Sequence, residues 1–157
     1  VNTMKRRSFL KGTLAGGVVA VAATSGLLRP AEVLAASWPK NAFTAKSVEN
    51  ALKDLFGTSA TTASDAIKIT APIQAENGAV VPITASTTLP NVEAIAVVVE
   101  KNPSPLAASV DLTGASGYFR TKMKLGQTSP VHVVVKSGGK LYSAKQEIKV
   151  TTGGCGG

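Results

Sequence analysis

The chain has 157 residues, a formal net charge of +8 and a single cysteine, which suits one domain plus a small appendage and excludes an internal disulfide. Of its 17 basic and 9 acidic residues, Lys5, Arg6, Arg7, Lys11, Arg29 and Glu32 precede residue 36, so the remainder carries a net charge of about +4. So mild a bias excludes a nucleic-acid binder.

The N-terminus reads as an address. Lys5-Arg6-Arg7-Ser8-Phe9-Leu10-Lys11 is a twin-arginine element, and an uncharged stretch runs from Gly12 to Leu28. Arg29, Pro30 and the small-residue exit Val33-Leu34-Ala35-Ala36 follow. Basic, apolar, small is the order of a secretory signal peptide, and the twin arginine points to the Tat route, which carries folded cargo. The stretch is diluted by Gly12, Thr13, Gly16, Gly17, Thr24, Ser25 and Gly26, whereas a membrane-spanning helix needs about 20 mostly apolar residues. We therefore expect a signal over residues 1–35, cleaved after Ala35, and a periplasmic protein that is not membrane-bound afterwards. Met4 reads as a better start than Val1.

Residues 36–42 read as an irregular lead-in. From Thr44 to Phe56, Val48, Leu52, Leu55 and Phe56 follow the spacing of one helical face. Thr44 is a candidate N-cap, and Gly57 stands where a left-handed residue ends a helix. From Asp65 onward the pattern turns to β, with candidate strands at 67–71, 80–87, 93–100, 107–113, 118–125, 131–137 and 140–150. Turn material separates them: Glu76-Asn77-Gly78, Leu89-Pro90-Asn91, Asn102-Pro103-Ser104-Pro105, Gly114 to Gly117, Gln127 to Pro130 and Gly138-Gly139. Seven short strands at this spacing predict an all-β, antiparallel sandwich, with the helix covering one end.

Two of these strands break the usual alternation. Ala94-Ile95-Ala96-Val97-Val98-Val99 and Val131-His132-Val133-Val134-Val135 are apolar on nearly both faces, so each needs cover on its second side. The helix is one candidate, but it reads as too small for both strands. The pattern thus predicts an interface with another subunit through Val97, Val99, Val133 and Val135. On a third strand, Arg120, Lys122 and Lys124 alternate and share a face. That is either a solvated face or a positive patch for an anionic substrate or an acidic partner.

The chemistry is concentrated at the C-terminus. After Val150 the chain reads Thr151-Thr152-Gly153-Gly154-Cys155-Gly156-Gly157. Glycine has no Cβ, so residues 151–157 are expected to form a thin, flexible arm, and the five residues from Thr151 to Cys155 reach about 17 Å when extended. Such an arm can enter a narrow channel in another protein and present a sulfur at its floor. No side chain on the arm could activate the thiol, which stays mostly protonated at neutral pH. Enzyme nucleophiles normally have an activating neighbour. Cys155 therefore reads as a handle on which other enzymes act. A lone exposed thiol is also a liability, so its presence calls for a use.

Gly153-Gly154-Cys155-Gly156-Gly157 resembles the terminal motif of the SoxY family, the sulfur-carrier subunits of bacterial thiosulfate oxidation. Glu76-Asn77-Gly78 with Val81-Pro82, Asn102-Pro103-Ser104-Pro105-Leu106 and the twin-arginine signal are similar to that family too, and the resemblance covers residues 36–157. It implies an immunoglobulin-like sandwich without a cofactor, paired with a SoxZ-type sandwich subunit and exported with it as a folded complex. It further implies a haem enzyme that joins thiosulfate oxidatively to Cys155 and a hydrolase that releases sulfate. In some systems a molybdenum–haem sulfane dehydrogenase oxidises what remains. Only Cys155 carries over as a reactive position, with Gly153, Gly154, Gly156 and Gly157 as the arm that delivers it.

Three other readings are weaker. A carrier that activates its C-terminal Gly-Gly as a thiocarboxylate needs ATP, absent outside the cytoplasm, and leaves Cys155 idle. An exported structural sandwich could use Cys155 for an intermolecular disulfide; this is the principal alternative, and it predicts a constitutive covalent dimer. His132, Cys155 and Met123 lack the clustered spacing of a metal site, and no Ser-His-Asp or paired-carboxylate arrangement can be argued. His132 reads as a strand residue at an interface.

Overall fold

A computed structural model describes residues 38–112 and 114–151. The expected signal over 1–35 and the arm positions 152–157 lie outside the described residues. The chain divides into two units after Trp38, and the second holds every helix and strand among the described residues.

That second unit is the expected all-β sandwich. We number its elements α1 (Lys40–Thr44), α2 (Val48–Phe56), β1 (Thr62–Ala63), β2 (Ile67–Thr70), β3 (Gln74–Ala75), β4 (Val81–Thr87) and β5 (Val92–Val99). Then come β6 (Leu106–Asp111), β7 (Tyr118–Met123), β8 (Ser129–Ser137) and β9 (Lys140–Val150). One sheet is ordered β1-β9-β8-β5-β6 with β3 also on β9; the other is ordered β2-β4-β7. Splitting consecutive strands between two sheets in this way is an immunoglobulin-like arrangement. All seven expected strands form, within two residues of their expected ends. Two further strands, β1 and β3, are only two residues long and pair parallel with β9, so the sheet is not wholly antiparallel. The β8–β9 hairpin turns at Gly138 and Gly139, whose φ of +54° and +74° demand residues without a Cβ penalty.

The core between the sheets follows from alternation. Val81, Ile83, Ala85 and Met123 of the smaller sheet meet Ile95, Val97, Val99, Val131, Val133, Val135 and Ile148 of the larger. Val97, Val99, Val133 and Val135 are fully buried there. The expectation that they face another subunit is therefore overturned: they are the centre of the domain's own core.

The other face of these strands is also covered from within. Ala96, Val98, Leu106, Val134 and Leu141 lie under Ala42 of α1 and Ala51 and Leu52 of α2, with Phe43, Val48, Leu55 and Phe56 packed around them. Two short helices suffice because the contact residues are small. Alanine at 42, 51 and 96 leaves little side chain between helix and sheet, while Leu52 fills the centre at 4 % exposure. Burying one such leucine contributes about 1.5–3 kcal/mol.

The helical region also differs in detail from expectation. Lys40–Thr44 forms a turn of helix where an irregular lead-in was expected. Thr44 is consumed by it, donating its hydroxyl to the carbonyls of Lys40 (3.1 Å) and Asn41 (3.2 Å). The cap of α2 is instead Ser47, whose Oγ accepts from the Asn50 N–H at 3.2 Å. Gly57 ends α2 as expected, at φ +80°, with its N–H on the Lys53 carbonyl. Among the described residues no helix is long and apolar enough to cross a membrane.

Candidate functional site

The residues singled out by sequence, Cys155 with Gly153, Gly154, Gly156 and Gly157, lie outside the described residues. What the fold positions is Thr151, the last described residue before that segment, and the chain leading to it is held from two sides. On one side β3 runs parallel to the end of β9, pairing Gln74 with Lys149 and Ala75 with Val150. The Lys149 N–H bonds the Ile73 carbonyl at 2.9 Å, and the Thr151 N–H bonds the Ala75 carbonyl at 3.1 Å. The Thr151 hydroxyl reaches that same carbonyl at 3.4 Å. On the other side the Val150 N–H donates to Thr128 Oγ1 at 2.9 Å. The backbone is thus tied at three successive residues up to Thr151, which is itself exposed.

Two loops brace this exit. Gly78 lies so close that a Cβ there would stand 2.5 Å from the Leu125 carbonyl oxygen and 2.8 Å from Val150 Cγ1. No side chain can replace it without moving the end of β9 or the segment after β7. The Gly78 carbonyl accepts the Leu125 N–H at 2.8 Å, and Asn77 Oδ1 accepts the Ala79 N–H at 2.8 Å, closing the turn. Asn102 ties the second loop: its Nδ2 donates to the Lys124 carbonyl at 2.8 Å and its Oδ1 accepts the Gly126 N–H at 3.0 Å. The motifs Glu76-Asn77-Gly78 and Asn102-Pro103-Ser104-Pro105 therefore meet the residues after β7 at the root of the C-terminal segment.

In the sequence both motifs read as turns and as points of family resemblance, with nothing to tie them to the C-terminus, and Ala75 and Thr128 carry no signal of their roles there. The motifs were visible as turn residues. The partners of Thr151 and Val150 lie 76 and 22 residues away along the chain, and no local pattern announces such a pairing.

Elsewhere the surface of the described residues offers little chemistry. His132 sits on β8 with Nε2 3.0 Å from Glu100 Oε2. It also lines a surface cleft with Thr61, Ser64, Asp65, Ser143 and Lys145, where charges of both signs mix. Among the described residues no three of His, Cys, Asp and Glu gather as metal ligands. At the other end of β9, Glu93 receives Lys136 at 2.9 Å and the Gly139 N–H at 2.8 Å. Its carboxyl is held below its ordinary pKa by the Lys136 hydrogen bond first and the Gly139 N–H second.

The family model described as "Sulfur oxidation protein SoxY" matches residues 52–155, from the middle of α2 to the cysteine itself. The solved structure of the sulfur carrier protein SoxY from Chlorobium limicola f thiosulfatophilum is 39 % identical, with a TM-score of 0.62. The match covers 73 % of this chain and 100 % of that one. No curated protein matches the chain. The family match that ends on Cys155 and the likeness to a solved SoxY agree: the chain belongs to the SoxY family, the sulfur carriers of sulfur oxidation.

Proposed function

We propose that this protein is a periplasmic, Tat-exported carrier that holds thiosulfate-derived sulfur on the thiol of Cys155 and presents it to partner enzymes. The observation that carries this reading is that the family match runs through to Cys155, immediately beyond a β9 end tied down to Thr151. A fixed root and a glycine-rich tip let a rigid domain dock while the thiol enters a narrow site.

The chemistry needs little from the carrier. Oxidative loading joins the thiol sulfur to the sulfane sulfur of thiosulfate; the thiol loses its proton and two electrons pass to the loading haem enzyme. The product is an S-thiosulfonate on Cys155. A hydrolase then adds water across the terminal sulfur–sulfur bond, releasing sulfate and a proton and leaving a persulfide on Cys155. A molybdenum–haem dehydrogenase can oxidise that sulfane to a bound sulfonate, accepting six electrons while three waters supply the oxygens and seven protons are released, and a second hydrolysis releases sulfate and a proton and returns the free thiol. A cysteine with ordinary reactivity suits this role, because an activated thiol in an oxidising compartment would react indiscriminately. A SoxZ-type subunit completes the carrier as a heterodimer. Its contact lies away from Val97, Val99, Val133 and Val135, which the core consumes.

Intact-mass spectrometry of the protein from thiosulfate-oxidising cells tests this. The expected result is a set of thiosulfonate and persulfide adducts that a thiol reductant removes. A single unmodified mass, or a reducible homodimer linked through Cys155, would contradict it and favour the structural-disulfide reading.

A further inference from the structure

The outer face of the three-stranded sheet is basic, open and aimed at the root of the C-terminal segment. Its register is known. Lys68, Ser86 and Tyr118 form one row across β2, β4 and β7; Thr70, Thr84 and Arg120 form the next; Pro82 and Lys122 form the third. Their neighbours Ile67, Ile69, Val81, Ile83, Ala85, Phe119 and Met123 point into the core, so alternation turns these rows outward. Lys68, Arg120, Lys122 and Lys124 are all exposed. The three strands contain no Asp or Glu. Among the described residues the ion pairs are His132–Glu100 and Lys136–Glu93, so none neutralises this face.

The direction of the row matters as much as its sign. Arg120 and Lys122 step along β7 at about 6.7 Å per pair of residues, and Lys124 follows directly after the strand ends at Met123. The next residue, Leu125, bonds Gly78 and lies against the same glycine as Val150. The cations therefore end beside the close of β9, the strand that precedes Cys155 in the chain, and Asn102 pins the backbone of the last one at 2.8 Å. A charge row that ends at the root of the substrate-bearing segment orients whatever it attracts toward that segment.

We propose that this face is the transient docking surface for the acidic rim of a partner enzyme's channel, with Arg120, Lys122 and Lys124 guiding the rim to the root of the arm. The proposal rests on the carrier reading above. The occupant is a protein met briefly, and the composition of the face decides this. Permanent subunit interfaces are apolar at their centres and depleted in lysine and serine, whereas three of the four cations here are lysines, Lys68, Lys122 and Lys124, set among Thr70, Thr84 and Ser86. Complementary charge of this kind speeds encounter and sets orientation more than it deepens affinity, which suits a carrier that must leave each enzyme it visits.

The test compares two full-length carriers with the same change in net charge, both retaining Cys155. In one, Arg120→Glu and Lys122→Glu reverse the face; in the other, Lys40→Glu and Lys140→Glu reverse exposed charges away from it. The probe is the sulfate-releasing hydrolase acting on thiosulfonate-loaded carrier, with kcat and kcat/KM read across a salt series. Electrostatic steering changes association rates by about 10- to 1,000-fold. The face variant should lose about tenfold or more in kcat/KM at low salt, with a flattened salt dependence, unchanged kcat and an unchanged melting temperature. The control pair should stay within about twofold of the unaltered carrier. Equal behaviour of the two variants, whether both fall or neither does, overturns the proposal, since it would leave only net charge or nothing. If instead the face variant is impaired only in loading, and saturating thiosulfate restores it, the face serves the small anion and the acidic-protein assignment is overturned. Failure of the carrier reading is read separately: hydrolase turnover on Cys155→Ser carrier would remove that reading whatever the face does.

Discussion

The outer face of the six-stranded sheet lies under α1 and α2, whereas the outer face of the three-stranded sheet lies open to water. Beneath the helices sit Ala96, Val98 and Val134 with Leu52 driven between them. On the open face stand Lys68, Arg120 and Lys122 among Thr70, Thr84 and Ser86. Both sheets close the same core with the same alternation, so the difference lies only in the residues that point outward. An apolar second face is a demand for cover, and the chain meets that demand itself. A basic second face makes no such demand.

Burying charge at the shared core breaks that comparison most severely. Val97→Asp places a carboxylate where exposure is nil, with no partner to compensate it, and such burial costs several kcal/mol or forces unfolding. Circular dichroism should show a domain without a cooperative melt. A folded Val97→Asp protein that merely failed to bind another chain would restore the subunit-interface reading of these strands.

Leu52→Ala is gentler and sharpens the contrast between the two outer faces. It empties the space between α2 and the sheet, and substitutions of this kind cost about 2–5 kcal/mol. Thr84→Ala on the open face should change stability by no more than about 0.5 kcal/mol. Urea titration of both variants checks the pair; similar losses would mean that the open face is packed against something in solution.

The smallest effect belongs to Glu93. Its folded-state pKa lies below the ordinary value of 4.5, so its contribution to stability is present above that value and fades as pH falls through the depressed one. Glu93→Gln should therefore melt slightly below the unaltered protein near neutrality, and the two should converge in acid. A gap that widened in acid would reverse the sign and refute the assignment. The carboxylate is in contact with solvent, so the gap should be small and should shrink with added salt.

The strands were legible because each is long enough to show a period and is bounded by glycine, proline or asparagine. The helix α2 was legible for the same reason, through Val48, Leu52 and Leu55. What escaped was short or distant. Lys40–Thr44 has too few residues for a period, and its presence moved the cap from Thr44 to Ser47. β1 and β3 have two residues each, and their parallel pairing with β9 spans most of the domain. The cover over Val98 and Val134 was misjudged because helix size was weighed by length. The contact depends on Ala42 and Ala51 letting the helices come close, which only the packed structure displays. Cys155 stood out by composition alone, whereas the bracing of its root by Gly78, Thr128 and Ala75 needed the fold. Glycine at 78 reads as an ordinary turn residue until Val150 and Leu125 are found beside it.

The function proposed above puts the sulfur on Cys155 itself. Its most direct test is Cys155→Ser in a reconstituted thiosulfate-oxidising system, with sulfate formation measured and the melting temperature recorded alongside. The cysteine follows β9 by five residues in the chain, so the domain should melt as before. A hydroxyl cannot form the sulfur–sulfur bond, so sulfate formation should fall to the level seen with the carrier omitted. Sulfate production at the unaltered rate by a folded Cys155→Ser protein would contradict the account.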